Sequence, residues 1–230
     1  MNGKDEVKYQ IAVAVFGLFW GIELLGAIFD YAIIVGVSAW YFTSAHDKRG
    51  RFSLTRGFYW AFRYNFGSLA FGSFLLAIVW TIRIVFEYLD NKMKKLKENN
   101  QLASCISSGI RCCLACFDRF IRFLNVNAYI HVCLTGNSFC SSAMSAFVLA
   151  LKHSGSFMTT NGIGSLINIL GKLTISVGNS VIGYILIISL EETKNSVQEP
   201  LAPTAVVFVM SYLMASIFMG VYSITSLTIL

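Results

Sequence analysis

Two carboxylates stand inside an otherwise apolar stretch, Glu23 and Asp30. Seven residues separate them, two helical turns, so on a helix they face one side about 10 Å apart. Trp20, one turn before Glu23, shares that side. Ionisable groups within a membrane-length run face a cavity or a partner, because lipid does not solvate them. Aromatic faces beside negative charge attract organic cations, above all quaternary ammonium groups. Trp20, Glu23 and Asp30 are therefore candidates for a cation path. The structural alternative is that the two acids tie neighbouring helices together or pair with Lys172 and Arg83.

Lys172 interrupts a later apolar run. It reads as an ion-pair partner or gate within a bundle. It reads equally as a snorkelling side chain, with Gly171 letting a neighbouring helix approach. Arg83 and Glu87, four residues apart, suit an interfacial pair at a helix end. The six cysteines, at positions 105, 112, 113, 116, 133 and 140, fall in one window. Cys112, Cys113 and Cys116 include a Cys-x-x-Cys, but zinc needs further ligands at partner spacing, and no second such pair exists. Reversible acylation of these three cysteines or a plain interfacial role fits better, and no metal is expected. His131 and His153 have no acid or nucleophile at telling spacing. With no nucleophile elbow and no phosphate loop, neither catalytic residues nor a cofactor are expected, and the chain does not read as an enzyme.

These residues need elements to hold them, and composition says which kind. Of 230 residues, 56% are hydrophobic and 13% charged. A soluble domain is about half apolar and a quarter charged, so a soluble enzyme and a disordered regulator are both disfavoured. Net charge is +6. In a membrane chain this reads as loop topology, and the basic residues form no aromatic-interleaved groove for nucleic acid. Residues 1–10 are short and of mixed charge, and do not read as a removable signal peptide.

Charge-poor runs place spans at about Ile11–Phe42, Tyr64–Phe86, 162–190 and Pro203–Leu230, each clearing the ~20 residues of a crossing. Their continuous apolarity excludes the alternation of barrel strands. The expected architecture is an all-α polytopic transmembrane helix bundle, with about four spans plus interfacial amphipathic helices. Residues 1–10 form a short tail. Residues 11–86 hold two spans joined by a basic loop, 43–63. Residues 87–161 form a cytoplasmic or interfacial region, and 162–230 hold two spans joined by an acidic loop, 191–202. Within the third region Leu114, Phe117, Phe120, Ile121 and Leu124 recur at helical spacing, while Arg111, Asp118, Arg119 and Arg122 lie off that stripe. That pattern suits an amphipathic helix on the membrane surface. Residues 123–151 carry no formal charge but many polar groups, and are expected as surface-lying or re-entrant helices, with a fifth span as the alternative. The acidic loop reads as outside and the basic 87–161 region as inside, which puts both termini inside. The five Lys and Arg of 43–63 run against that assignment.

Several strings in fixed order carry a family resemblance. Gly67-Ser68-Leu69-Ala70-Phe71-Gly72-Ser73 opens the second span, and Ile82-Arg83 with Glu87-Tyr88-Leu89-Asp90 closes it. Cys112-Cys113-Leu114-Ala115-Cys116 follows, then Phe120-Ile121-Arg122-Phe123-Leu124-Asn125-Val126-Asn127-Ala128-Tyr129-Ile130. Gly136-Asn137-Ser138-Phe139-Cys140 and Leu170-Gly171-Lys172-Leu173 come next, and Trp40-Tyr41-Phe42 fits as well. Together they resemble the C-terminal portion of the choline transporter-like family over about residues 20–190. The resemblance implies a multi-pass integral membrane protein, at the plasma membrane, that moves choline or an ethanolamine-type amine, in exchange with protons or by facilitated flow. It implies a cytoplasmic C-terminus and a functional glutamate at the position of Glu23, and it gives no counterpart for Asp30. Family members are several times longer and cross the membrane about ten times. The expected partners are therefore the lipid bilayer, choline or a similar quaternary or primary amine, and other transmembrane helices or chains. The expected function is transport of such an amine together with those helices. The alternative is a non-transporting accessory subunit of a larger membrane assembly.

Overall fold

The fold is that of a computed structural model, which describes residues 3–42, 54–92, 101–189 and 200–230. Among these residues the chain is helical throughout, with no strand. The elements are α1 (Gly3–Phe42), α2 (Leu54–Arg63), α3 (Phe66–Lys92), α4 (Gln101–Thr135), α5 (Phe139–Lys152), α6 (Ser154–Ser189) and α7 (Leu201–Ile229). The physical cause is the one that excludes open sheets from lipid: only a helix satisfies every backbone N–H and C=O within its own segment. Among the described residues four helices are long and apolar enough to cross a membrane, at Tyr9–Phe42, Phe66–Lys92, Gly162–Ser189 and Leu201–Ile229, and Ser107–Thr135 with Phe139–Lys152 passes the same test as a bent pair, a broken span or a re-entrant loop. The chain is an all-α, multi-pass integral membrane protein.

Three boundaries differ from the sequence reading. The tail expected at 1–10 is helical from Gly3, because its Lys, Asp, Glu and Gln are good or neutral helix formers and nothing in it breaks the turn. The basic loop expected at 43–63 contains α2, whose buried Gly57 and Ala61 lie one turn apart and face α1. The second span begins at Phe66 rather than Tyr64, because the backbone N–H groups of Tyr64 and Asn65 both return to the Trp60 carbonyl and close α2 there. The remainder of the basic loop, 43–53, and most of the acidic one, 191–199, lie outside the described residues.

The chain forms two compact units, Met1–Lys152 and His153–Leu230. In the first, the second half of α1 is the centre: Ala27, Ile28, Tyr31, Ala32, Ile34 and Val35 are all buried. It packs on α2, α3 and α4, and α5 folds back on α4 and α3. The α4–α5 corner turns by 109°. Gly136 makes it possible, with φ of 71° and its N–H on the Val132 carbonyl at 2.9 Å, a left-handed helix stop that glycine takes without a Cβ penalty. The first half of α1 turns large apolar side chains outward, among them Ile11, Val13 and Leu18. The second unit is the α6–α7 pair. Its enclosed residues are few and small, Ser176 and Ala215, and most of its Ile, Leu, Val and Phe side chains point outward. An outward apolar coat is what lipid or further helices require.

At the far end of α3 the first unit is closed by an ion pair whose acid is buried. Asp90, 3% exposed, accepts from the Ser107 hydroxyl and from Arg111 Nη2 at 2.6 Å. Removing one partner of a buried pair costs about 3–5 kcal/mol. Arg111 is 53% exposed on its side chain and can find other company, so we expect Asp90→Ala to cost about 2 kcal/mol. A melt of the variant in detergent micelles checks this; an unchanged midpoint would mean that the pair is ornamental.

Candidate functional site

The first unit holds a polar seam where α1, α3 and α4 meet. Its origin is the sequence of α4. Arg111, Asp118, Arg122, Asn125 and Tyr129 follow one another at steps of seven, four, three and four, so one face of the helix is polar along its length. That face meets α1 and α3. Asn125 is buried and gives its amide to the Gly72 carbonyl at 2.7 Å. Tyr129, 2% exposed, packs on Gly72, where any side chain would strike its ring. Of the apolar stripe, Phe120, Ile121 and Leu124 line a groove of about 320 Å³ with Phe71, Phe139 and Phe147 of α3 and α5, and Phe120 meets Phe147 edge-on. Phe117 points outward. The polar face of this amphipathic helix thus meets α1 and α3, while its N-terminal half stays largely exposed. A buried Asn and an ion pair to α1 hold it there.

Glu23 takes a partner that the sequence did not suggest. Arg122 Nη2 stands 2.9 Å from Glu23 Oε1. Arg122 Nε also lies 3.4 Å from Asp118 Oδ1, one turn back on α4. The guanidinium sits over Trp80 of α3, 5.8 Å from the ring centre, and Trp80 stacks on Phe19 of α1. Asp30 is half-buried on the same helix as Glu23 and forms no hydrogen bond or ion pair with the described residues. Tyr129 lies within electrostatic reach of both Glu23 and Asp30. Beside them, the Tyr31 hydroxyl accepts from Asn65 Nδ2 at 2.7 Å and meets the Cys133 thiol.

The other sequence candidates lie as follows. Trp20 gives its indole N–H to the Ala70 carbonyl at 3.2 Å and meets Phe74 edge-on, so it ties α1 to α3 while its ring stays 37% exposed. Trp20 thus lies on the α1–α3 contact, while Glu23 reaches α4. Lys172 is half-buried in the second unit, where Gly171 lies against the flexible end of the Met219 side chain of α7. Cys112, Cys113 and Cys116 are exposed along the outer part of α4, open to modification. Arg83 and Glu87 do not close on each other; they line a small cleft with Phe86, Arg111 and Leu114. Trp80, Asp118 and Tyr129 belong to the seam without having been singled out in the sequence. The heptad-like spacing of the polar residues of α4 was the available signal, because such a face beside two intramembrane acids has an obvious use.

The seam carries three carboxylates, Glu23, Asp30 and Asp118, and among the described residues Arg122 is the one base that ion-pairs with them. The first unit thus combines an acid surplus and an indole face within a chain of membrane-length helices. A family model described as plasma-membrane choline transporter matches residues 1–230, and the chain belongs to that family. Choline transporter-like 2 of Anopheles gambiae is 33% identical over 218 residues, covering 95% of this chain and 27% of that protein. Choline transporter-like protein 2 of Bos taurus is 34% identical over 213 residues, 90% of this chain and 30% of the relative. Choline transporter-like protein 4 of Bos taurus is 35% identical over 173 residues, 74% of this chain and 24% of the relative. The chain thus spans under a third of the length of these relatives. The family is one of transporters, not an enzyme class.

Proposed function

We propose that this chain contributes to a transporter that moves choline or a related amine across the plasma membrane, with the α1–α3–α4 seam on the path of the cation. One observation carries the reading: three carboxylates share the seam with a single ion-paired base, next to the face of Trp80. If all are ionised, three negative charges against one positive leave the seam short of two cations. A quaternary ammonium donates no hydrogen bond, so surplus negative charge and aromatic faces are the attractions open to it.

The chain works in this reading only with further helices. Secondary transporters bind near the bilayer midplane between bundles that rock against each other. Four apolar crossings supply too little wall for both a site and a moving partner, and the outer half of α1 is apolar and uncovered. That same surface favours a second reading, an accessory subunit that covers a larger membrane protein and moves nothing.

The test reconstitutes the chain alone into proteoliposomes and follows labelled choline, then repeats the assay with the additional helices that the longer relatives possess. We expect no saturable uptake from the chain alone and saturable uptake from the assembly. Uptake by the chain alone, lost in Glu23→Gln, would show that it needs no partner. Uptake by the assembly that is indifferent to Glu23→Gln, Asp30→Asn and Trp80→Leu would favour the accessory subunit.

A further inference from the structure

This inference rests on the seam being the cation's path and concerns Arg122. Its guanidinium already has what an organic ammonium would seek: the Glu23 carboxylate at 2.9 Å and the face of Trp80 at 5.8 Å. Its second hold is loose. Nε stands 3.4 Å from Asp118 Oδ1, and that oxygen, although enclosed, receives no hydrogen bond. Enclosed carboxylate oxygens without a donor are uncommon and costly. The Trp80 indole N–H and the Tyr129 hydroxyl are likewise enclosed and lack hydrogen-bond partners among the described residues. Asp118 Oδ1 and the Trp80 indole N–H, both beside the guanidinium, therefore keep unused bonding capacity. Asp118 and Arg122 are one turn apart on the same face of α4, so the guanidinium can close on Asp118 by side-chain rotation, with no movement of the helix.

We propose that Arg122 is a resident cation. It holds the subsite between Glu23 and Trp80 when no substrate is bound, and an incoming organic cation displaces it onto Asp118. Two consequences follow. The charge of Glu23 is never left unpaired within the bundle, in either state. The subsite also selects: only a cation that gains both the carboxylate and the indole face can compete with the guanidinium, so quaternary ammonium and guanidinium compounds qualify while hydrated sodium does not. The apparent affinity is lowered by the fraction of time that Arg122 spends in the subsite.

The test measures binding of labelled choline in lipid nanodiscs, at mildly alkaline pH, to the chain assembled with the additional helices that its longer relatives possess. Arg122→Gln removes the competitor, and choline is expected to bind about tenfold tighter than to the parent. In that variant methylguanidinium should displace choline at lower concentration than in the parent. Asp118→Asn removes the receiving group, and choline should bind about tenfold more weakly, with Glu23 untouched. Arg122→Gln that binds choline no tighter, with helix content and melting intact, overturns the proposal. If Arg122→Gln does not fold, Asp118→Asn decides: unchanged or tighter binding there overturns it. Binding that survives Glu23→Gln defeats the transport reading of the seam instead, and so separates the two failures.

Discussion

Glu23→Gln is expected to weaken choline binding on the order of 100-fold while leaving the helices in place. The substitution keeps the size of the side chain and can still accept a hydrogen bond from Arg122, so the α1–α4 contact seen at 2.9 Å need not open. What it removes is one negative charge. A quaternary ammonium has no hydrogen bond to fall back on, so it feels that loss in full. Two unit charges about 5 Å apart at an effective dielectric of about 20 interact by roughly 3 kcal/mol, and about 1.4 kcal/mol is tenfold in affinity. Asp30→Asn should act in the same direction and less, about tenfold, because Asp30 does not ion-pair within the seam. Trp80→Leu should also cost about tenfold, the worth of a cation–π contact away from water. Equilibrium binding of labelled choline to each variant, assembled in nanodiscs with the further helices of the longer relatives, measures all three. A Glu23→Gln variant within threefold of the parent would remove the seam as the binding site.

Gly57→Val is expected to be the most destabilising single change in the first unit, by about 3 kcal/mol or more. A Cβ at Gly57 would stand 2.6 Å from the Ala32 carbonyl oxygen and 2.7 Å from the Ala32 Cα. Both are backbone atoms in the middle of α1, so no side chain can swing aside. Either α2 lifts off α1 or the substitution fails. Ala32 is fully buried and its neighbour Tyr31 is bonded to Asn65, so lifting α2 would also pull on the seam. The control is Gly17→Ala, on the same helix as Ala32, where a Cβ meets nothing within 4 Å. There the helix should gain about 0.5–1 kcal/mol, because alanine is the better helix former. Thermal unfolding in micelles compares the two variants. Equal midpoints would show that the α1–α2 approach is looser than described.

Much of this protein was legible in the chain because lipid imposes a one-dimensional rule. A crossing needs about twenty apolar residues in sequence, so the four long helices show as four runs, and an acid within a run shows as an exception with a use. Glu23 and Asp30 stood out for that reason, and their common face followed from a spacing of seven. The family resemblance was legible in the same way, as ordered strings. Which partner Glu23 takes was not legible. The sequence pointed to Lys172 and Arg83, and only the packing of α4 against α1 selects Arg122, ninety-nine residues away. The orientation of α4 was the other decision left to the tertiary structure. An amphipathic helix has two faces, and in water the apolar one goes inward. In a bilayer the apolar face is content with lipid or a lipid-like groove, and the polar face must find partners inside the bundle. The periodicity of Leu114 to Leu124 is the same in both cases. Its meaning was set by Asn125 reaching the Gly72 carbonyl, Arg122 reaching Glu23, and the fit of Tyr129 against a glycine, contacts that exist only once three helices lie side by side.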